Sequence, residues 1–127
     1  MDEMKPGKFE MPKFFASMVV YLKDDISIGS AMNALGCITA PREIDGRWEF
    51  VCGETDAIYA WDIETALKEL FGLCDIKRIN EVSNRFGGEI WVIIAFYHYD
   101  KYPALIFEGE TMEIIRELKA NISIDAY

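Results

Sequence analysis

Two long stretches of period-two alternation constrain this chain more than any other feature. From Lys13 to Leu22, Phe14, Ala16, Met18, Val20 and Leu22 fall on one face of an extended chain, and Phe15, Ser17, Val19 and Tyr21 on the other. The first face is wholly apolar, so it must be covered, and helices elsewhere in the chain are the available cover. From Glu89 to Tyr99 both faces are apolar over the middle of the run, which predicts a strand with neighbours on either side. A fold built on these two runs has a sheet at its centre.

Between and after them the periodicity changes to that of helices. Ser27 is a candidate N-cap for a helix carrying Ile28, Ala31, Met32 and Leu35, with Gly36 in the left-handed position that ends it. Pro41 to Gly46 reads as a turn-rich connection, and Arg47 to Cys52 as a strand alternating Trp48, Phe50 and Cys52 against Arg47, Glu49 and Val51. Asp62 caps the clearest helix, whose stripe is Ile63, Ala66, Leu67, Leu70 and Phe71, closed by Gly72. Another helix starts at Asp75, turns Ile76, Ile79 and Phe86 inward, and stops at Gly87-Gly88.

After the long strand, Asp100-Lys101 predicts a turn back into a short strand, Ala104 to Phe107, with Pro103 at its start. The last helix, Thr111 to Lys119, faces Met112, Ile115 and Leu118 inward, and Asn121 ends it in the left-handed region. Ile122 to Ala126 is then a final strand, with Ile122 and Ile124 expected under a helix. On that expectation, losing residues 122–127 would remove two core side chains worth about 2–3 kcal/mol each. The fold class is α+β: a single, mostly antiparallel five-stranded sheet with helices packed on one face, in the order β-α-β-α-α-β-β-α-β. Residues 1–12 read as a flexible N-terminal leader and 13–127 as a single domain.

The 127 residues are enough to bury roughly two-thirds of the unfolded surface. With 22 acidic and 13 basic side chains the formal net charge is −9, which argues against nucleic acid and against an anionic membrane, and favours basic partners. No apolar run approaches the roughly 20 residues of a spanning helix. Cys37, Cys52 and Cys74 lack the spacing of a disulfide framework or a structural zinc site, and read as small apolar side chains in a reducing cytoplasm. The N-terminal residues have no secretory h-region, so a cytoplasmic location is expected.

Gly46-Arg47-Trp48-Glu49-Phe50, the helix from Asp62 with Ile63, Leu67 and Leu70, and the ending that runs from Pro103-Ala104-Leu105 to Asp125-Ala126-Tyr127 resemble the bacterial domain-of-unknown-function 4279 family. The resemblance covers roughly Phe14 to Tyr127. It implies a bacterial α+β domain and carries no catalytic residue with it.

The residues themselves supply little chemistry. His98 is the single histidine and has no nucleophile or acid at a telling spacing. Asp24-Asp25 and the pair Glu54 and Asp56 are loop carboxylates rather than a facing pair across a cleft. Gly87-Gly88 lacks the residues of a phosphate-binding loop. No catalytic residue, metal ligand or cofactor is expected. What stands out is a surplus of rings: Trp91, Tyr97, Tyr99, Trp48 and Trp61 are the candidate binding residues, with Tyr59, Tyr102 and Tyr127 also in excess of core needs. The sequence therefore points to a non-enzymatic acidic protein-interaction module of bacterial origin, an immunity-type protein neutralising a basic partner being one form of it; self-association is the competing use of the same rings. The alternative is a small-molecule-binding or enzymatic domain with a pocket between sheet and helices near Trp48, Trp61 and His98.

Overall fold

A computed structural model of the chain describes residues 11–23, 28–37 and 40–127. The cap at Ser27, the Asp24-Asp25 pair and most of the N-terminal leader lie outside the described residues. The elements run β1 (Lys13–Lys23), α1 (Ile28–Leu35), β2 (Arg42–Ile44), β3 (Arg47–Glu54), β4 (Ile58–Tyr59), α2 (Ile63–Leu73), α3 (Ile76–Phe86), β5 (Glu89–Tyr97), α4 (Gly109–Leu118) and β6 (Asn121–Ala126). They form one mixed sheet of six strands in the order β2-β3-β1-β5-β6, with β4 pairing the start of β1. Every pairing is antiparallel except β5 with β6.

β1 sits at the centre, paired with β3 along one edge and with β5 along the other. Its apolar face of Phe14, Ala16, Met18, Val20 and Leu22 is fully buried, joined by Phe50 from β3 and by Ile90, Val92, Ile94 and Phe96 from β5. Onto this layer α2 sets its whole expected stripe, Ile63, Ala66, Leu67, Leu70 and Phe71. α3 adds Ile79 and Val82, and α4 adds Ile115 and Leu118. Asp62 and Asp75 cap their helices as read, accepting from the backbone N–H of Thr65 and Arg78. α2 runs through Gly72 to Leu73 and ends at Cys74 instead. At the other end of the sequence order, Pro12 is already buried and its carbonyl accepts the Ala60 N–H.

Four local expectations need correction. Residues 41–46 hold a strand: β2 pairs with β3 through a two-residue turn in which Asp45 and Gly46 both have positive φ, the backbone that a tight hairpin with twisted strands requires. Ala104–Phe107 forms no strand, because the sheet position beside β5 is taken by β6; Ala104 makes only an isolated bridge to Asp62. Lys119, not Asn121, takes the left-handed turn after α4. Met112 points to solvent while Thr111 is buried in its place.

The final strand forms where expected, parallel to β5, and Ile122 packs against the core. Ile124 does not: it is 37% exposed, on the edge strand of the sheet. β6 therefore adds less burial than two core residues would. Among the described residues no helix is long and apolar enough to cross a membrane. The contrast along the sheet is testable by denaturant unfolding: Phe96→Ala should lose about 3–5 kcal/mol, whereas Ile124→Ala should lose about 1 kcal/mol or less.

Candidate functional site: the uncovered face of the sheet

Because all helices lie on one side, the side chains of opposite parity form an open face. Strand register aligns them in rows. One row crosses β2, β3, β1 and β5 as Arg42, Glu49, Tyr21 and Glu89. A second crosses β4, β1 and β5 as Tyr59, Lys13 and Tyr97, and Tyr127 continues it, since its N–H donates to Phe96 and its carbonyl accepts from His98.

The first row is a closed polar band. Arg42 donates twice to Glu49 Oε1, at 3.2 and 2.9 Å, and Tyr21 donates its hydroxyl to Glu49 Oε2 at 2.9 Å. Glu49 is only 9% exposed, so its charge stays buried because both oxygens are satisfied. The Arg47 guanidinium lies 4.4 Å from the centre of the Tyr21 ring and reaches Glu89 Oε1 at 3.0 Å. The Trp91 indole N–H donates to the same oxygen at 2.8 Å. Burial pushes the Tyr21 hydroxyl above its ordinary range, helped by the bond to Glu49. The Trp91 bond, with Arg47, holds the Glu89 carboxyl below its ordinary range. Each group here already has a partner, so the band fixes the face and leaves little capacity for chemistry.

The second row is different. Tyr97 stacks on Tyr127 at 5.0 Å between centroids, and Phe15 meets Tyr97 edge-on at 6.1 Å. The Lys13 ammonium lies 5.7 Å from the Phe15 ring and 5.4 Å from the Tyr97 ring. These rings are solvent-facing, Tyr97 at 42% and Tyr127 at 62% exposure. Tyr59, beside Lys13, is exposed as well. Glu54, opposite Ser17, and Asp125, opposite Ala95, place two exposed carboxylates on the same face. The patch is thus aromatic with an acidic border, and it already holds one cation over its π faces.

Of the five candidate binding residues, Trp91 and Tyr97 share this face but lie about 20 Å apart along β5, so Tyr97 joins the aromatic patch and Trp91 the polar band. Tyr99 lies just past the end of β5 and is exposed. Trp48 points the other way, packed against the core with its indole nitrogen buried and unpartnered. Trp61 stands in the connection before α2, where its carbonyl accepts the Ala104 N–H. Phe15 and Lys13 escaped the sequence reading. Their signal was the polar-facing half of the first alternation, but it takes register to place them beside Tyr97.

His98, Trp48 and Trp61 do not converge. Trp48 lies opposite Leu22 at one end of β1, while His98 and Trp61 lie by the Lys13 end, about 30 Å away along the strand. His98 packs against Phe96 and Tyr102 with its Nδ1 buried and unpartnered. A cleft of ≈ 390 Å³ does exist between α2 and the segment leading to α4, lined by Asp62, Glu64, Thr65, Lys68, Ala104, Ile106 and Glu108. Its central carboxylate is engaged in structure: Glu64, 5% exposed, accepts the Glu108 N–H at 3.1 Å and the Thr111 hydroxyl, fastening α4 to α2. No group of three or more metal-ligating side chains is gathered among the described residues. Compared with family models, curated proteins and solved structures, the chain has no match in any of the three.

Two outcomes follow from this geometry. Glu64→Ala strands the Thr111 hydroxyl and the Glu108 N–H, and should lower stability by about 1–3 kcal/mol, with Glu64→Gln losing less; chemical denaturation measures both. The Trp91 indole N–H should titrate in nitrogen-15 NMR spectra with the midpoint of Glu89, below the ordinary glutamate value. The sign follows from the lowered folded pKa: the bond persists above the unfolded pKa and is lost only as pH falls through the folded one.

Proposed function

We propose that this protein is a non-enzymatic interaction module that binds a basic protein partner on the uncovered face of its sheet, centred on Phe15, Tyr97 and Tyr127. The observation that carries this reading is the asymmetry of the sheet, with helices over one face and a contiguous, exposed aromatic patch on the other. Large exposed ring clusters are uncommon on surfaces with no partner, and Tyr and Trp are the side chains in which binding energy concentrates.

The choice of a basic partner rests on charge. The chain carries −9, Glu54 and Asp125 border the patch, and its rings accept a cation in the contact they make with Lys13. An incoming Arg could lie on a tyrosine and reach one of these carboxylates. The same net charge opposes pairing with a second copy, which would bring two like fields together. Neutralisation of a basic toxin by an immunity-type protein of bacterial origin is the biological form that suits such a surface. The resemblance to the domain-of-unknown-function 4279 family accords with it, since that family brings no catalytic signature.

The test compares the full chain with a Tyr97→Ser/Tyr127→Ser double variant as bait at low and high salt. A basic protein held by the native face, released by salt and lost with the variant is the expected result. Equal recovery by both baits would overturn the reading. Light scattering that finds a dimer which the variant abolishes would reassign the patch to self-association.

A further inference from the structure

The three cysteines, far apart in sequence, are drawn toward one region of the helix side of the sheet, and two of them meet. Cys37 Sγ lies 3.9 Å from Cys52 Sγ. Neither position is an accident of loose packing. Cys37 follows Gly36, whose φ of +73° closes α1 in a Schellman turn: the Cys37 N–H donates to Met32 and the Gly36 N–H to Asn33. Cys52 is the extra residue of a β-bulge, since Val19 pairs with Val51 and Met18 with Gly53. A bulge re-aims a side chain, and this one directs a thiol toward the end of α1. Cys37 is half-buried and so open to small reagents.

We infer that Cys37 and Cys52 form a redox-active dithiol that hydrogen peroxide converts to an intramolecular disulfide joining the end of α1 to the bulge of β3. The Cys37 thiolate attacks one peroxide oxygen, the O–O bond breaks, and hydroxide leaves as Cys37 becomes a sulfenic acid. Cys52 sulfur then attacks Cys37 sulfur, the S–O bond breaks, and the departing hydroxide takes the Cys52 proton as water. Two thiols and one peroxide yield one disulfide and two waters, and a dithiol reductant reverses the change. The division of labour follows from position. The contact with the deeper Cys52 lowers the Cys37 pKa, while Cys52 itself is raised by that same contact and by burial. Cys74, against Gly53, is pushed up to about 11 by burial and stays a thiol. This dithiol lies on the helix side of the sheet and owes nothing to the partner face.

Peptide mapping of the folded full chain decides the matter, because trypsin places each cysteine in its own peptide: 24–42, 48–68 and 69–77. After limited peroxide treatment the intact mass should fall by two hydrogens, and after subsequent alkylation peptides 24–42 and 48–68 should be joined, with Cys74 alkylated. Cys74→Ser should leave this unchanged. Cys52→Ser should halt the reaction at a Cys37 sulfenic acid that dimedone traps. The proposal fails if all three thiols remain alkylatable, if the bridge includes Cys74, or if denatured protein forms the same bridge at the same rate. Because the native chain gives the first and decisive result, a variant that folds poorly does not obscure it.

Discussion

Everything in this fold hangs on the double duty of β1. Its even-numbered side chains are buried under helices along the strand, and its backbone is paired on both edges, with β3 on one side and β5 on the other. α2 aims its whole stripe at this layer, and the ends of α2 and α4 are then fixed to each other by the buried Glu64 carboxylate. A polar substitution at Met18 or Val20 would strike both the sheet and its helical cover, since both belong to the one core cluster that the described residues form.

The sequence made the helix side legible because that side is governed by strong local periodicity. The stripe of α2, the caps at Asp62 and Asp75, and the apolar face of β1 were all readable, since each depends on spacing within one element. What escaped depends on non-local competition. Pro103 to Phe107 has the composition of a strand, yet β6 reaches the edge of β5 through a helical crossover and leaves that segment without a partner. β2 was too short to show alternation, although Asp45-Gly46 is a strong hairpin signal. Trp48 and Trp91 look equivalent as letters, and only parity within their strands sends one to the core and the other to solvent. The meeting of Cys37 with Cys52 requires a bulge that no spacing rule announces.

The uncovered face also divides its tasks along the strands. At one end, Arg42, Glu49, Tyr21, Arg47, Glu89 and Trp91 satisfy one another and hold four strands in register. At the other, rings stand open with one lysine over them. A rigid, self-satisfied band beside an exposed patch is a favourable arrangement for recognition, because the contact residues are positioned before any partner arrives. The same arrangement gives a reacting molecule few free acids or bases to meet.

The central place of β1 also has a consequence in time. β1 leaves the ribosome well before β5, its partner on one edge, which begins only at Glu89. At about 5–20 residues per second, synthesis leaves that edge open on the order of several seconds. During that wait an apolar, strand-forming segment stands with an unpaired backbone. Such a nascent chain is a natural client for a chaperone that shields extended apolar segments, and overexpression without one would favour aggregation through β1 before the native sheet can close.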